Sequence, residues 1–184
     1  NTVMVLCIIG IVYASLIALR ETNLKRMLAY SSMAHVGLIA AGAYTYSKDG
    51  MQGAVMQMLA HGIVIVALFF LVEIIYKRYG SYEIKDMGGI RAQATKFSSF
   101  FLIFLFASIG LPGTFSFIGE FTLLYSLSKV EWMYAIFGGT TIILGAYYML
   151  KMFQNAILGN TNRKPFADLN TIEFSVLLIL AIAV

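Results

Sequence analysis

The chain has 184 residues, of which 60% are hydrophobic and 12% charged, and its mean hydropathy is +0.82. This composition is typical of an integral membrane protein and excludes an ordinary soluble domain. The net charge of +4 does not indicate nucleic-acid binding, because the basic residues lie in short loops between apolar runs. The single cysteine, Cys7, excludes an internal disulfide and a cysteine-held cluster within this chain.

Six apolar segments predict an all-α, polytopic bundle of membrane helices. They cover about residues 3–19, 28–46, 51–76, 97–128, 132–158 and 172–184. The last holds about 13 residues, fewer than the ~20 that a membrane-spanning helix requires. The first residues already lie within an apolar run. We therefore expect residues 1–184 to be a single transmembrane domain that is an internal piece of a larger protein.

Basic residues concentrate in alternate loops, which predicts the orientation of the bundle. One set of loops carries Arg20, Lys25, Arg26, Lys77, Arg78, Lys85, Arg91, Lys96, Arg163 and Lys164. The opposite loops carry only Lys48 and Lys129. By the positive-inside rule the first set faces the cytoplasm or a mitochondrial matrix. We call that side the basic end and the opposite side the outer end.

The fourth apolar segment is interrupted by the sequence SIGLPGTFSFIGEF, residues 108–121. Pro112 has no N–H to donate within a helix, and Gly110 and Gly113 let the backbone leave the helical conformation. In lipid, such an interruption is tolerated only where protein or a water-filled cavity covers it. The sequence thus predicts a transmembrane helix broken near residues 110–114, with Thr114 and Ser116 able to cap the second half.

Glu120 follows the break and is the leading candidate for a functional side chain. Burial favours its neutral acid, whereas the positive end of the second half-helix favours its anion. Such opposed influences suit a group that exchanges protons, and carboxylates within membrane segments are usually functional. The alternative is that Glu120 pairs with a lysine or arginine and only holds helices together.

Two histidines accompany Glu120 in the membrane. Ser31 and His35 are four residues apart, as are Gln57 and His61, so each pair shares one helix face. At ~1.5 Å of rise per residue, both histidines fall in the middle third of the bilayer. We interpret His35, His61 and Glu120 as a proton path; the alternative for each histidine is a purely structural role.

Other polar positions are weaker candidates. Ser31, Gln57, Lys151 and Glu73 form a possible secondary polar path. Glu73 is most simply a solvated or loop-paired residue, and Lys151 can extend to the interface. We predict no metal site, because the two histidines and Glu120 come from three separate helices and no pair has the i, i+4 ligand spacing.

Four motifs, taken in order, resemble a known family. They read LKRMLAYSSMAHVG, QGAVMQMLAHG, KDMGGIR and GLPGTFSFIGEF. This series is similar to the antiporter-like membrane subunits of respiratory complex I, and most similar to the bacterial M chain, which corresponds to mitochondrial subunit 4. The resemblance implies a 14-helix antiporter-like fold built from two inverted repeats. This chain would be the C-terminal part, helices 9 to 14.

The resemblance also implies roles for residues. Glu120 would be the ionisable residue of the broken helix, exchanging protons with the outer side. His35 and His61 would belong to a central hydrophilic axis. A glutamate in the broken helix is typical of the M chain, whereas the L and N chains typically have lysine there.

The implied function is proton translocation by a subunit of NADH:quinone oxidoreductase, driven electrostatically by quinone reduction elsewhere. The chain lacks a glycine-rich phosphate loop, so we expect NADH, FMN, iron–sulfur clusters and quinone to bind other subunits. The expected partners are the other membrane-arm subunits, the lipid bilayer and protons, in a bacterial inner membrane or the mitochondrial inner membrane. The alternatives are a subunit of a multi-subunit sodium/proton antiporter or of an energy-converting hydrogenase, and, more distantly, a non-transporting scaffold.

Overall fold

A computed structural model describes residues 2–159 and 165–184 of the chain, which form eight α-helices. Their bounds are α1 Thr2–Arg20, α2 Leu24–Ala43, α3 Lys48–Tyr79, α4 Ile90–Gln93, α5 Thr95–Ser108, α6 Phe115–Val130, α7 Trp132–Phe153 and α8 Thr171–Ile182. A 3₁₀ turn lies at Ile84–Asp86, and a π-helical turn at Gln154–Leu158 extends α7. The predicted all-α class is confirmed. Arg163 and Lys164, assigned to the basic end, lie outside the described residues.

Within residues 2–159 and 165–184, three helices are long and apolar enough to cross a membrane: α1, α3, and α7 with its π-helical turn. The helices α5 and α8 are apolar but shorter. Helix α2 has 20 residues, which corresponds to ~30 Å of helix and is enough to span a hydrocarbon core. Its lower apolarity reflects the serines and the histidine that face the interior of the bundle.

Polar caps set the ends of the second and third helices. Asn23 accepts a hydrogen bond from the backbone N–H three residues later, so α2 begins four residues before the apolar run. Ser47 accepts one in the same way from Gly50 and starts α3. Helix α3 ends at Gly80, whose φ of 76° is the left-handed conformation that glycine adopts without strain.

The broken helix ends its first half in a glycine-dependent cap. Gly110 has a φ of 68° and donates from its N–H to Ala107 O, 3.3 Å away. Leu111 donates from its N–H to Phe106 O at 3.1 Å. These two bonds form a Schellman motif. Pro112 follows two positions after the glycine and prevents the helix from continuing.

The second half, α6, starts after Thr114, as the sequence predicts, but without the expected side-chain cap. The Thr114 hydroxyl donates to Leu111 O at 2.9 Å and accepts no bond from the new helix. The prediction of a Thr114 cap is therefore wrong, because its hydroxyl is engaged by the loop's own carbonyl. The six residues between α5 and α6 let the two halves present different faces to the bundle.

Two apolar cores lie at different depths. The basic-end core is aromatic and joins α3, α5 and α7; its members include Leu71, Ile75, Phe97, Phe101, Phe104 and Met152. The outer-end core joins α1, α2, α3 and α6; its buried members are Met4, Ile8, Ile11, Leu38, Ile39, Ala41, Ala54, Leu123 and Leu127. His35, Gln57, His61 and Glu120 lie between these two cores.

Candidate functional site

Glu120 is buried at the centre of the bundle, with its side chain 2% exposed. Gln57 donates from Nε2 to Glu120 Oε1 at 3.1 Å, and His35 Nδ1 lies 3.4 Å from the same oxygen. Across residues 2–159 and 165–184, no lysine or arginine lies within ion-pairing distance of Glu120. The carboxyl group therefore has an amide and an imidazole as its close polar neighbours, in surroundings that disfavour an uncompensated charge.

The two histidines are brought together by α2 and α3. Their ring centroids are 5.1 Å apart, with the planes tilted by 31°. His61 Nε2 forms a 2.8 Å hydrogen bond with the Ser32 hydroxyl. Among the residues that the structure describes, the buried His35 Nδ1 atom has no hydrogen-bond partner, although Glu120 Oε1 lies 3.4 Å away. A small rotation of the His35 ring, or one water molecule, would complete a hydrogen bond between His35 and Glu120.

Close helix packing brings Glu120 to these partners. Gly119 on α6 lies against Gln57 on α3; an added Cβ would be 3.1 Å from the Gln57 Cα. Gly110 in the break faces the Glu120 carboxylate so closely that a Cβ would overlap it. Both glycines are therefore required by the space available, and Gly110 also by its φ. The break and the carboxylate thus form one structural unit.

A second polar contact lies on the basic-end side of His35. The Tyr148 hydroxyl on α7 donates to Ser31 Oγ at 2.8 Å, and both side chains are buried. Ser31 precedes His35 by one helical turn on the same face. The sequence singled out Ser31 but missed Tyr148. The available signal was a tyrosine within an apolar helix, whose hydroxyl needs a partner once it is buried.

Glu73 and Lys151, proposed as members of a secondary path, lie apart from Glu120. Glu73 accepts a 3.1 Å hydrogen bond from the hydroxyl of Tyr82 in the following loop. Desolvation and the Glu73 carboxylate raise the pKa of Tyr82 above its usual value of 10, so the hydroxyl remains a donor. Lys151 is exposed, with Nζ 5.6 Å from the centre of the Tyr147 ring.

The outer-end core separates the polar cluster from the outer end of the bundle. Leu123 and Leu127 follow Glu120 on α6, and Leu38 and Ile39 follow His35 on α2. Leu123 also fills the space beside Gly42, where a Cβ would overlap it. In this conformation apolar side chains therefore occupy the direction in which the family resemblance predicts proton release.

The described part of the chain contains no group of three or more His, Cys, Asp or Glu side chains arranged to hold a metal ion. Its titratable groups in the bundle centre, His61, His35 and Glu120, instead form a series of neighbours. Such a series suits the transfer of a proton between neighbouring groups.

Sequence comparison identifies close relatives. The family described as NADH:quinone oxidoreductase/Mrp antiporter, TM, matches residues 1–145. NADH-quinone oxidoreductase subunit M of Rickettsia typhi is 42% identical over 174 residues, 93% of this chain and 35% of that protein. NADH-ubiquinone oxidoreductase chain 4 of Chondrus crispus is 37% identical over 182 residues, 97% of this chain and 37% of that protein. The chain thus spans little more than a third of the length of these relatives.

The fold matches a solved structure as well. A chain of respiratory complex I from Thermus thermophilus with bound NADH superposes with a TM-score of 0.94 at 27% identity, covering 100% of this chain and 39% of that chain. The resemblance and the fold class derived from the four motifs are confirmed. This chain belongs to the NADH:quinone oxidoreductase/Mrp antiporter family of transmembrane proteins.

Proposed function

We propose that this chain is the proton-transferring part of a membrane subunit of NADH:quinone oxidoreductase. The observation that carries the proposal is the placement of Glu120, buried and bound to Gln57 with His35 Nδ1 3.4 Å away. Family membership supports the assignment to this class of enzyme. The function of the complete protein would then be translocation of protons, with no redox centre in this chain.

The chemistry follows from the charge balance of the pair formed by Glu120 and His35. A proton moves from His35 Nδ1 to Glu120 Oε1, which converts an imidazolium–carboxylate pair into a neutral imidazole and a neutral acid. The pair has no net charge in either state, so both are tolerated in a poorly polar interior. Gln57 donates to the carboxyl oxygen and orients it. A change of charge nearby favours one state over the other and thereby drives the transfer.

His61 extends this series by one group. With ring centroids 5.1 Å apart, two imidazolium ions would repel each other strongly in low-dielectric surroundings. The two histidines therefore carry one proton at a time. Ser32 holds His61 by its Nε2 atom and fixes the orientation of the ring.

The partners of this chain follow from its family and are part of the proposal. Other membrane-arm subunits would surround it in the lipid bilayer. NADH, FMN, iron–sulfur clusters and quinone would bind elsewhere in the complex. The membrane would be the bacterial inner membrane or the mitochondrial inner membrane, with the basic end facing the cytoplasm or matrix.

The decisive experiment is Glu120→Gln in the full-length subunit, measured in membrane vesicles after assembly of the complex is verified. Glutamine keeps the size and polarity but cannot accept the proton. We expect NADH-driven proton pumping and NADH:quinone turnover to fall together by at least about tenfold, since groups that transfer protons contribute ~10² or more. Glu131→Gln, which alters an exposed carboxylate at the end of the same helix, is the matched control. Unchanged rates in Glu120→Gln would make the carboxylate structural and the chain a scaffold.

A sodium/proton antiporter subunit is the second candidate, favoured by the description of the matching family, which includes Mrp antiporters. The same Glu120→Gln variant distinguishes the two. Loss of tolerance to external sodium, with unchanged NADH:quinone turnover, would identify an antiporter. Energy-converting hydrogenases belong to the same group of alternatives and would be recognised by copurifying subunits.

A further inference from the structure

A cavity of ≈ 550 Å³ opens at the basic end of the bundle. It lies between the end of α1, the start of α2, the 3₁₀ turn and the second half of α7. Its lining includes Leu19, Met27, Glu83, Tyr148, Lys151 and Met152. The cavity therefore extends from charged side chains near the surface to the buried tyrosine that contacts Ser31.

The mouth of this cavity is held in place by backbone hydrogen bonds. Leu24 N donates to Tyr82 O at 2.9 Å, and Ile84 N donates to Thr22 O at 3.0 Å. The Asn23 side chain also donates to Glu83 at 3.2 Å. The turn between α1 and α2 is thus fastened to the loop that follows α3. A cavity of this volume, with carboxylates and lysines around its mouth, is polar and large enough to hold several water molecules.

Tyr148 separates the cavity from the polar cluster. Its side chain lines the cavity, yet its hydroxyl is turned into the bundle and donates to Ser31. Beyond Ser31, one turn along α2, the His35 Nδ1 atom is buried without a hydrogen-bond partner. The two hydroxyls and this unpartnered nitrogen mark a direction from the basic end towards Glu120.

We propose that protons reach Glu120 and His35 from the basic end, through this cavity and the Tyr148–Ser31 hydroxyl pair. The inference rests on the proposed function, since it supplies an entrance to the same cluster. This entrance gives the chain its own access to the basic end. In this conformation the outer-end core blocks the way from the cluster to the outer end.

The transfer is a concerted hop that leaves both hydroxyl groups neutral. A hydronium ion in the cavity gives a proton to the Tyr148 oxygen and becomes water, while the tyrosine's own proton passes to Ser31 Oγ. Ser31 gives up its original hydroxyl proton, through one bridging water molecule, to the His35 imidazole. His35 becomes the imidazolium that can then protonate Glu120.

Accessibility is tested first, independently of pumping. In the full-length subunit within the assembled complex, Cys7 is replaced by serine, and Met152→Cys places a thiol on the cavity wall. Met149→Cys, at a position buried to a similar degree one turn earlier and outside the lining, is the control.

The probe is a membrane-impermeant, charged thiol reagent applied from each side of the membrane in turn. We expect it to modify the thiol of the Met152→Cys variant at least about tenfold faster from the side of the basic end than from the outer side. The thiol of the Met149→Cys variant should stay unmodified. Equal, slow modification of the two variants would overturn the cavity as an aqueous entrance.

Tyr148→Phe then tests the hydroxyl, with Tyr147→Phe as the matched control on the exposed face of α7. We expect proton pumping and quinone turnover to fall at least about tenfold in Tyr148→Phe and to stay normal in Tyr147→Phe. Combined with Met152→Cys, neither substitution should change the rate at which the introduced thiol is modified. Normal pumping in an assembled Tyr148→Phe complex would overturn the relay. If Glu120→Gln still abolished pumping in that case, the proposed function would stand and only this entrance would fail.

Discussion

The two halves of the broken helix, α5 and α6, are both rich in aromatic residues, but they differ in which side chains they bury. In α5, Phe97, Phe101 and Phe104 are fully buried in the basic-end core. In α6, Phe115 and Phe121 are exposed by 42% and 62%. The buried side of α6 carries small and polar residues together with two leucines of the outer-end core, Leu123 and Leu127. One half is held by apolar packing and the other presents a titratable group.

This difference shows what the interruption achieves. A continuous helix would carry the phenylalanine face of α5 on into α6 at a fixed rotation of about 100° per residue. The non-helical residues 109–114 allow α6 to turn Gly119 and Glu120 towards α2 and α3. The aromatic packing of α5 thus mainly stabilises the bundle, whereas α6 carries the group that transfers protons. Substitutions in α5 should therefore mainly lower stability, and substitutions near Glu120 in α6 should mainly lower proton pumping.

The largest effect on stability is expected for Phe101→Ala in α5. Its ring lies 6.0 Å from that of Phe97 and 6.1 Å from that of Phe153, measured between centroids. Removing it leaves a cavity; soluble cores lose ~3–5 kcal/mol in such cases, and we expect about 2–3 kcal/mol here because lipid offers no hydrophobic penalty to the unfolded helices. Unfolding of the purified full-length subunit in a detergent titration measures the loss.

Phe121→Ala in α6 is the partner experiment, since the same side chain is removed from an exposed position. The comparison predicts a loss of no more than about 0.5 kcal/mol. Equal losses in the two variants would contradict the division of tasks between the half-helices.

Gly110→Ala is expected to damage both halves at their junction. A φ of 68° costs a non-glycine residue about 1–2 kcal/mol, and the methyl group would displace the Glu120 carboxylate from its position. The temperature of thermal unfolding and the rate of NADH-driven pumping should therefore both fall. Gly113→Ala separates the causes, because its φ of 109° is also strained but no atom lies within 4 Å of the added Cβ. Equal pumping in the two variants would show that the contact with Glu120 is unimportant.

A smaller effect than that of Phe101→Ala is expected at Asp168, which caps α5 from a distant part of the chain. Its carboxylate accepts from Phe97 N at 3.0 Å and from Lys96 N at 3.2 Å. Asp168→Ala should cost about 1 kcal/mol, the usual value for a lost N-terminal cap, with pumping unchanged in the assembled complex. Asp168→Asn keeps an acceptor oxygen and should restore most of the stability in the same unfolding measurement.

Local sequence patterns predicted the six apolar segments, the break and the candidate side chains, but not the four-residue helix α4. Hydropathy located the apolar segments, and the Gly110–Pro112 combination marked the end of α5 because its cap depends on residues only a few positions away. His35, His61 and Glu120 were found because ionisable groups are rare in membrane helices. Their mutual distances are properties of the assembled bundle, and the depth estimate indicated only that contact was feasible.

The features that the sequence did not predict all involve distant partners. Tyr148 bonds to a residue 117 positions away, and Asp168 caps a helix that begins more than 70 positions earlier. Neither pairing has a local signature. The Thr114 cap failed for a local reason: the hydroxyl bonds to a carbonyl three residues earlier and makes no bond to the amides of α6.

The outer-end core has a consequence for the membrane voltage. Apolar side chains polarise little, whereas water in the cavity at the basic end would keep that region near the potential of the adjoining solution. Most of the electric field would then fall across the ~10 Å occupied by Leu123, Leu127 and their neighbours. A charge that crosses this layer does nearly the full electrical work, ~2.3 kcal/mol per 100 mV. The transfer of a proton from Glu120 to the outer end should accordingly be the step that the membrane potential slows most. The exchange of protons between Glu120 and the cavity at the basic end should be almost insensitive to the membrane potential.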